Sequence, residues 1–529
     1  MLKSAYASRG MVVAPHRLAA EAGLAVLRDG GNAIEAMVAA ASTVAVVYPH
    51  MNSIGGDGFW LISKGGAAPV AIDACGAAAA KATKAFYAER GHAAIPGRGP
   101  HAALTVAGAI SGWQAALGIS ADWGGRLPLG RLLEDAIHHA RTGCAVTEGQ
   151  VANTAGKLAE CRDVPGFAGH FLPGGKVPAV GDRFVQATLG ATLERLAAAG
   201  LDDYYRGELA AAIAADLAAV DSPVGREDLA AHAAKVVRPL EIAVEAGTLY
   251  NMTPPTQGLV SLLILGVYDR IRADAADGFD YVHRLVEATK QAFEVRDAHI
   301  TDTAYMTVEP QSLAAADKVA AMAGRIDLAK ASPWPRPSDK GDTVWLGAID
   351  GDCNAVSFIQ SVYWEFGSGV VLPQTGIAWQ NRGASFSLDP AALNTLEPGR
   401  KPFHTLNPAM ARLKDGSLMP YGTMGGEGQP QTQAMVFSRS VMHGQGLQQA
   451  ITAPRWLLGR TWGSQSTSLK VEANLGDDVI AALEKAGHEV EVLEPFNDTM
   501  GHAGALRRRP DGLIEAGADP RSDGAACGF

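Results

Sequence analysis

The sequence predicts an α+β protein in which helices cover sheets on both outer faces. Three observations carry this. Hydrophobic residues make up 47% of the 529 residues and charged residues 19%, which supports a large core and argues against disorder. Helical periodicity dominates the first half, whereas hairpin-linked strands take over after about residue 343. No internal repeat and no clear interdomain linker interrupts the chain, so one large unit is expected, although length alone would suggest two to four domains.

Leu18, Ala22, Ala25 and Val26 recur at helical spacing over 17–29, and "DGGN" supplies the glycines that close a helix. Asn32 is placed to cap a second helix running to about Val47, apolar almost all round and therefore buried. "GFWLIS" (58–63) and "PVAIDA" (69–74) read as a strand pair. From there to about residue 240 the chain reads as mostly helical, and 281–300 is a strong amphipathic helix. "KASPWPRPSDKGD" (330–342), with three prolines and no periodicity, reads as an exposed loop. Strands follow at 343–350, 355–363 and 376–380, then at 408–413, 418–423 and 469–472. Helices are expected near 430–450 and 475–487.

Composition narrows the function. A net charge of −10 without a basic block argues against nucleic acid as a partner. The five cysteines are scattered with no CxxC pair, so neither a zinc ribbon nor a disulfide framework is indicated. The N-terminal stretch lacks the apolar core of a secretory signal, and "MVAAASTVAVV" (37–47) is too short to span a bilayer. The expectation is a cytoplasmic protein with no membrane partner.

"GDTVWLGAIDGDCNAVSFIQS" (341–361) forms a hairpin with Gly and Asp in its turn. If the turn centres on Asp352, Thr343 and Ser361 oppose each other, with Cβ atoms roughly 4.5–5.5 Å apart. A threonine hydroxyl needs a base. Its own α-amine serves when the threonine is N-terminal, with a reference pKa of about 7.7–8.0. The proline-rich loop ahead of Thr343 suits self-cleavage at Asp342–Thr343, although a plain surface hairpin has the same pattern. In "YGTMGGEGQPQ" (421–431), paired glycines between a strand and a helix can aim N–H groups at an oxyanion, or simply turn the chain. "SIGGDGFW" (53–60) is a further glycine turn and a weak nucleotide signal. No HExxH and no GxSxG occurs, and adjacent His138 and His139 cannot face one metal from a helix. Asp519 and Arg521 near the C-terminus read as a structural pair.

Together these stretches resemble the γ-glutamyltranspeptidase family of N-terminal nucleophile hydrolases. The resemblance runs through 10–59, "PPTQG" (254–258), "HRLVEATKQAF" (283–293), "FGSG" (366–369), "NPAM" (407–410), "GTMGGEGQ" (422–429) and "ADPRSDG" (518–524). It implies a four-layer αββα sandwich and autocatalytic cleavage into a large subunit (1–342) and a small subunit (343–529). The two fragments would pair as a heterodimer, with a dimer of heterodimers left open. It also implies hydrolysis or transfer at an amide without metal or other cofactor. By position, Thr343 matches the nucleophile, Ser361 the second hydroxyl beside it, Gly425 and Gly426 the oxyanion-hole pair, and Asn381 the family's pocket asparagine.

The substrate pocket departs from the glutamyl pattern. Cys75 stands where those members carry an arginine for the substrate carboxylate, and Ser385 where they carry an aspartate for its amine. Arg382 replaces their glutamine, and His404 and Thr405 replace their paired serines. The pattern in "GDTVW", "SFIQS" and "PFHTLNP" resembles the oxamate-hydrolysing branch, which serves purine-ring nitrogen recovery. The expected reaction is hydrolysis of a small amide with a carboxylate beside the scissile carbonyl, oxamate to oxalate and ammonia. Arg382, Asn381, Ser385, His404 and Thr405 would line the substrate. A γ-glutamyl hydrolase or transferase, an acylase for glutaryl or β-lactam side-chain amides, and a non-catalytic uncleaved member remain as alternatives.

Overall fold

Two seven-stranded antiparallel sheets lie face to face with helices on each outer side, the four-layer αββα arrangement. The computed structural model describes residues 3–334, 344–459 and 466–529; Asp342 and Thr343 lie outside the described residues. One sheet runs, edge to edge, Ala5–Ala7, Ile514–Ala518, Ala503–Arg508, Leu418–Thr423, Ala409–Leu413, Gly247–Asn251 and Leu240–Val244. The other runs Ala525–Gly528, Gly10–Ala14, Val344–Asp350, Ala355–Ser361, Asp57–Ser63, Val70–Ala74 and Lys235–Val237.

The three central strands of the second sheet are buried along their whole length, which explains the near-continuous apolar runs "VWLGAID", "AVSFIQS" and "DGFWLIS". Their alternate side chains divide between two layers. Trp345, Ile349, Ile359, Phe59 and Leu61 fill the space between the sheets, against Tyr250, Met410 and Leu506. Leu346, Val356, Phe358, Trp60 and Ile62 face the helices Arg17–Arg28 and Ala33–Val47. Asn32 caps the second of these helices as expected, its side chain accepting from the Ile34 and Glu35 N–H groups while the Glu35 carboxylate accepts the Asn32 N–H. Helices Gly258–Arg270, Phe279–His299 and Gln429–Phe437 cover the first sheet. No helix among the described residues is long and apolar enough to cross a membrane.

Several elements differ from expectation. Residues 376–380 make isolated bridges, Ala378 to Val371 and Trp379 to Gly55, because their polar groups are taken up by neighbouring loops. The helix expected over 430–450 is broken into Gln429–Phe437, a wide turn Ser438–Met442 and Leu447–Thr452. The strands Gly10–Ala14, Leu240–Val244, Gly247–Asn251, Ala503–Arg508, Ile514–Ala518 and Ala525–Gly528 lie outside the expected set; the last three carry much Ala and Gly, and their strand character comes from sheet pairing.

Two features lock this frame beside the start of Val344–Asp350. Gly422 and Gly504 oppose each other in the first sheet, and the Trp345 indole lies across both. A methyl group at Gly422 would sit 2.1 Å from the indole Cδ1, and one at Gly504 2.4 Å from Cζ3. The indole Nε1 donates to Ser357 Oγ at 2.9 Å. Below them lies a fully buried ion network: Arg455–Asp519 at 2.6 Å, Arg521–Asp519 at 3.2 Å and Arg521–Glu472 at 2.5 Å. Arg455 also donates to the Gly501 carbonyl at 2.7 Å. The Asp519–Arg521 pair is thus structural.

Gly422→Ala is expected to destabilise the protein by about 1–3 kcal/mol, the usual cost of overpacking. A lowered denaturation midpoint at unchanged slope would show it. Asp519→Ala leaves the buried Arg455 without a carboxylate, while Arg521 keeps Glu472, and is expected to cost about 3–5 kcal/mol, read in the same way.

Candidate active site

The hairpin pairs Val344 with Gln360 and Ile349 with Ala355, the register of a turn centred on Asp352. The position expected to oppose Ser361 is Thr343, outside the described residues. Ser361 ends its strand and pairs on its other side with Asp57. Its Oγ accepts the Tyr363 N–H at 2.8 Å. The chain then doubles back through Tyr363 (φ +85°) and Phe366 (φ +62°). Left-handed backbone at bulky residues costs about 1–3 kcal/mol each and persists only where the surroundings enforce it. Here it lays the Tyr363 ring 3.7 Å from the guanidinium carbon of Arg382.

Arg382 opens a single helical turn, Arg382–Ser385, and is fully buried. Its Nη1 donates to Thr405 Oγ1 at 3.1 Å. Among the described residues its Nε and Nη2 have no partner. These two nitrogens form one edge of the planar fork, the edge that takes a carboxylate bidentately. Burial lowers the Arg382 pKa to about 10, against the opposing pull of Tyr363, Asp57 and Cys75, so the group stays charged at neutral pH.

His404 and Asp57 form the second half of this polar core. Both are fully buried. His404 Nε2 lies 3.1 Å from Asp57 Oδ2, and among the described residues its Nδ1 has no partner. The other carboxylate oxygen, Oδ1, accepts from the Gly76 N–H (3.0 Å), the Gly108 N–H (3.1 Å) and Gln380 Nε2 (3.1 Å). Burial raises the Asp57 pKa to about 7 despite those donors. Burial, with the charges of Arg382 and Lys401, holds the His404 imidazole well below its ordinary range and therefore neutral. Cys75 is buried beside them, its thiol pushed well up, and so inert as a nucleophile. Lys401 pairs with Asp73 at 2.5 Å.

The glycine turn after Leu418–Thr423 adopts left-handed backbone at Gly425 (φ +119°) and Gly426 (φ +53°), which requires glycine. It leads into the helix Gln429–Phe437. Among the described residues neither the Gly425 nor the Gly426 N–H donates to a protein acceptor. The Gly501 turn held by Arg455 packs against Gly425. Gln257 ties this turn to the pocket, donating to the Gly426 carbonyl at 2.8 Å and the Thr405 carbonyl at 3.0 Å.

Arg382, His404 and Thr405 are thus brought together. Asn381 is adjacent, but its amide is spent on the Gly97 carbonyl and the Trp364 N–H. The Ser385 hydroxyl bonds the Arg382 and Phe403 carbonyls. Beside them a cleft of about 270 Å³ opens between Arg296, Ser385, Leu393, Phe403 and Glu427. A larger cleft of about 610 Å³, around Lys290, Trp334 and His488, shares no lining residue with it.

Sequence reasoning missed Asp57, Tyr363, Gln257 and Lys401. For Asp57 one signal was present: a lone acid opening an otherwise apolar strand. "SIGGDGFW" is close-packed backbone, since a methyl at Gly55 or Gly56 would lie 2.2 or 2.1 Å from a carbonyl oxygen.

Asp57, Cys75 and His404 bring ligand-type atoms within 4.8 Å of one another, as do His283, Glu287 and His488. Neither group suits a resident cation. Asp57 is already engaged by four donors, close to the Arg382 charge. Glu287 is paired to Lys290 at 2.7 Å, and the two imidazoles bond each other at 2.8 Å.

Comparison with known proteins agrees with this frame. The Gamma-glutamyltranspeptidase family model matches residues 19–529. An "Oxamate amidohydrolase proenzyme" of Klebsiella pneumoniae is 56% identical over 100% of both chains. A "Glutathione hydrolase-like YwrD proenzyme" of Bacillus subtilis is 40% identical, again over 100% of both. Among solved structures, a cephalosporin acylase from Bacillus halodurans superposes with a TM-score of 0.92 at 32% identity, covering 100% of this chain and 97% of that one. The sandwich is that of the N-terminal nucleophile hydrolases. With this fold and this match, the chain belongs to the γ-glutamyltranspeptidase family and is an amide-hydrolysing enzyme.

Proposed function

We propose that the protein is a self-processing threonine amidohydrolase that cleaves oxamate to oxalate and ammonia. The observation that carries the substrate reading is the free Nε/Nη2 edge of Arg382, buried, charged and capped on its face by Tyr363. In oxamate the carboxylate is bonded to the reacting carbonyl, so its partner must lie next to the nucleophile. A γ-glutamyl group carries its carboxylate several bonds away. The 56% identity to a protein named for oxamate supports the same reading.

In this mechanism the chain is cut between Asp342 and Thr343, and fragments 1–342 and 343–529 act as a heterodimer. Both sequence relatives described above are named as proenzymes. The Thr343 hydroxyl attacks the amide carbonyl, and its α-amine takes the proton and delivers it to the departing ammonia. Ser361 supplies a hydroxyl beside the nucleophile. The Gly425 and Gly426 N–H groups hold the oxyanion, where one such donor is worth ~10²–10³ in rate. Water, activated by the same amine, then releases oxalate. All five cysteines are free, which suits a reducing cytoplasm. A second reading, an acylase for larger amides, draws on the cleft beside Ser385 and Phe403 and on the acylase superposition.

Purified protein is expected to give two bands on a denaturing gel, the smaller beginning at Thr343. Thr343→Ala should stay whole and inactive; full activity in an uncut chain would refute the mechanism. Arg382→Ala should still cut itself but lose oxamate turnover by ~2–5 kcal/mol in kcat/KM, with Arg382→Lys recovering only part. Preference for γ-glutamyl-p-nitroanilide over oxamate would overturn the substrate. Activity should survive exhaustive chelation and rise with pH as the α-amine deprotonates, near its reference pKa of about 7.7–8.0.

A further inference from the structure

Asp57 and His404 meet through one hydrogen bond, at 3.1 Å. When Asp57 is ionised, all four of its neighbours must donate to it: the Gly76 and Gly108 N–H groups, Gln380 Nε2 and His404 Nε2. The His404 proton then sits on Nε2. Its partnerless Nδ1 is a lone-pair acceptor. Add one proton at Nδ1 and the Nε2 proton can pass to Asp57 Oδ2. The pair changes from net −1 to net 0, and Nδ1 has become an N–H donor. The same atom therefore accepts a hydrogen bond in one state and donates one in the other.

We propose that Asp57 is a positioning residue that switches His404 Nδ1 between reading an amide N–H and reading a carboxylate oxygen. The pocket would then hold oxamate without proton uptake and oxalate with uptake of one proton. This rests on the oxamate reading above. Arg382 takes the carboxylate common to both molecules. His404 meets the end that differs, N–H before hydrolysis and oxygen after it. Oxalate facing an acceptor Nδ1 would set two lone pairs against each other, and a proton removes that repulsion.

The surroundings suit such a switch. The groups facing the pair are Arg382 from its helical turn, Lys401 from the segment leading to His404, and Asp73 and Cys75 at the end of Val70–Ala74. Tyr204 and Tyr205 approach Asp57 from the helical side. Arg382 and Lys401 disfavour an imidazolium, so the added proton is stored as a neutral carboxyl–imidazole pair. The Asp57 carboxyl titrates at about 7, which places the change within the working range of a cytoplasmic enzyme.

The test uses the mature wild-type enzyme and two variants. Oxamate turnover is measured first, then inhibition by oxalate from about pH 6 to pH 9, with calorimetry in two buffers to count protons. Above the Asp57 pKa, oxalate affinity should fall about tenfold per pH unit with uptake of about one proton, while the KM for oxamate changes little. Asp57→Asn presents Nδ2 to His404 Nε2 while its oxygen keeps the other three donors, which fixes Nδ1 as a donor. It should lose oxamate kcat/KM by roughly 100-fold, since a recognised N–H now meets another N–H. It should keep oxalate binding, now independent of pH. Asp57→Ala, which removes the anchor altogether, should lose both. A wild type that leaves oxamate intact overturns the substrate reading and this inference with it. A wild type that hydrolyses oxamate, but whose oxalate inhibition is flat with pH, overturns the switch alone. So does an Asp57→Asn enzyme that retains oxamate turnover.

Discussion

Arg382 is a full positive charge with no solvent access, and taking such an ion out of water costs several kcal/mol unless the surroundings replace its hydration. They replace it in part. Tyr363 lies on one face of the guanidinium, the Thr405 hydroxyl takes Nη1, and the Asp57 carboxylate acts from a greater distance. The remaining edge is left with two unmatched donors. A carboxylate arriving there recovers solvation that the fold gave up. Any affinity of this edge for an acid would thus be stored as an unfavourable term in folding.

That debt is carried by structure well outside the pocket. The left-handed turn at Tyr363 brings its ring over Arg382 and its N–H to Ser361 Oγ. Gln257 spans from the Thr405 carbonyl to the Gly426 carbonyl, so the Thr405 segment beside Arg382 and the glycine turn cannot drift apart independently. Behind the glycine turn stands the Gly501 loop, clamped by Arg455, itself held by Asp519. Residues distant in sequence therefore converge on a few ångströms of geometry.

The sequence made some of this plain and concealed the rest for physical reasons. Helices Arg17–Arg28 and Phe279–His299 and the central hairpin were legible because periodicity and turn chemistry are local signals. The terminal strands Gly10–Ala14 and Ala525–Gly528 were not: the first is a short run buried on both faces and shows no alternation, and the second is made of small residues with no distinctive period. Arg382, His404 and Thr405 could be singled out through the family resemblance, but their mutual arrangement depends on the "PPTQG" segment pairing with His404, a contact between residues about 150 positions apart. Asp57 was overlooked inside a glycine motif whose reason is close backbone approach. Asn381, expected in the pocket from the family resemblance, uses its amide to tie two loops together.

The interleaving of strands decides what a cut at 342–343 would do to the assembly. Segments before and after residue 342 alternate across both sheets: Gly10–Ala14 and Asp57–Ser63 flank the hairpin 344–361, and Ala409–Leu413 adjoins Gly247–Asn251. Neither piece owns a complete sheet or a complete core. A backbone break at 342–343 would leave the assembly as tightly knit as before, with no interface along which two finished halves could part. Separation would mean unfolding both. Once apart, the fragments would have to find each other and fold in the same event, at a rate set by concentration rather than by the single chain's own collapse. Cutting would thus make the mature form easy to reach from the precursor and hard to rebuild from its parts.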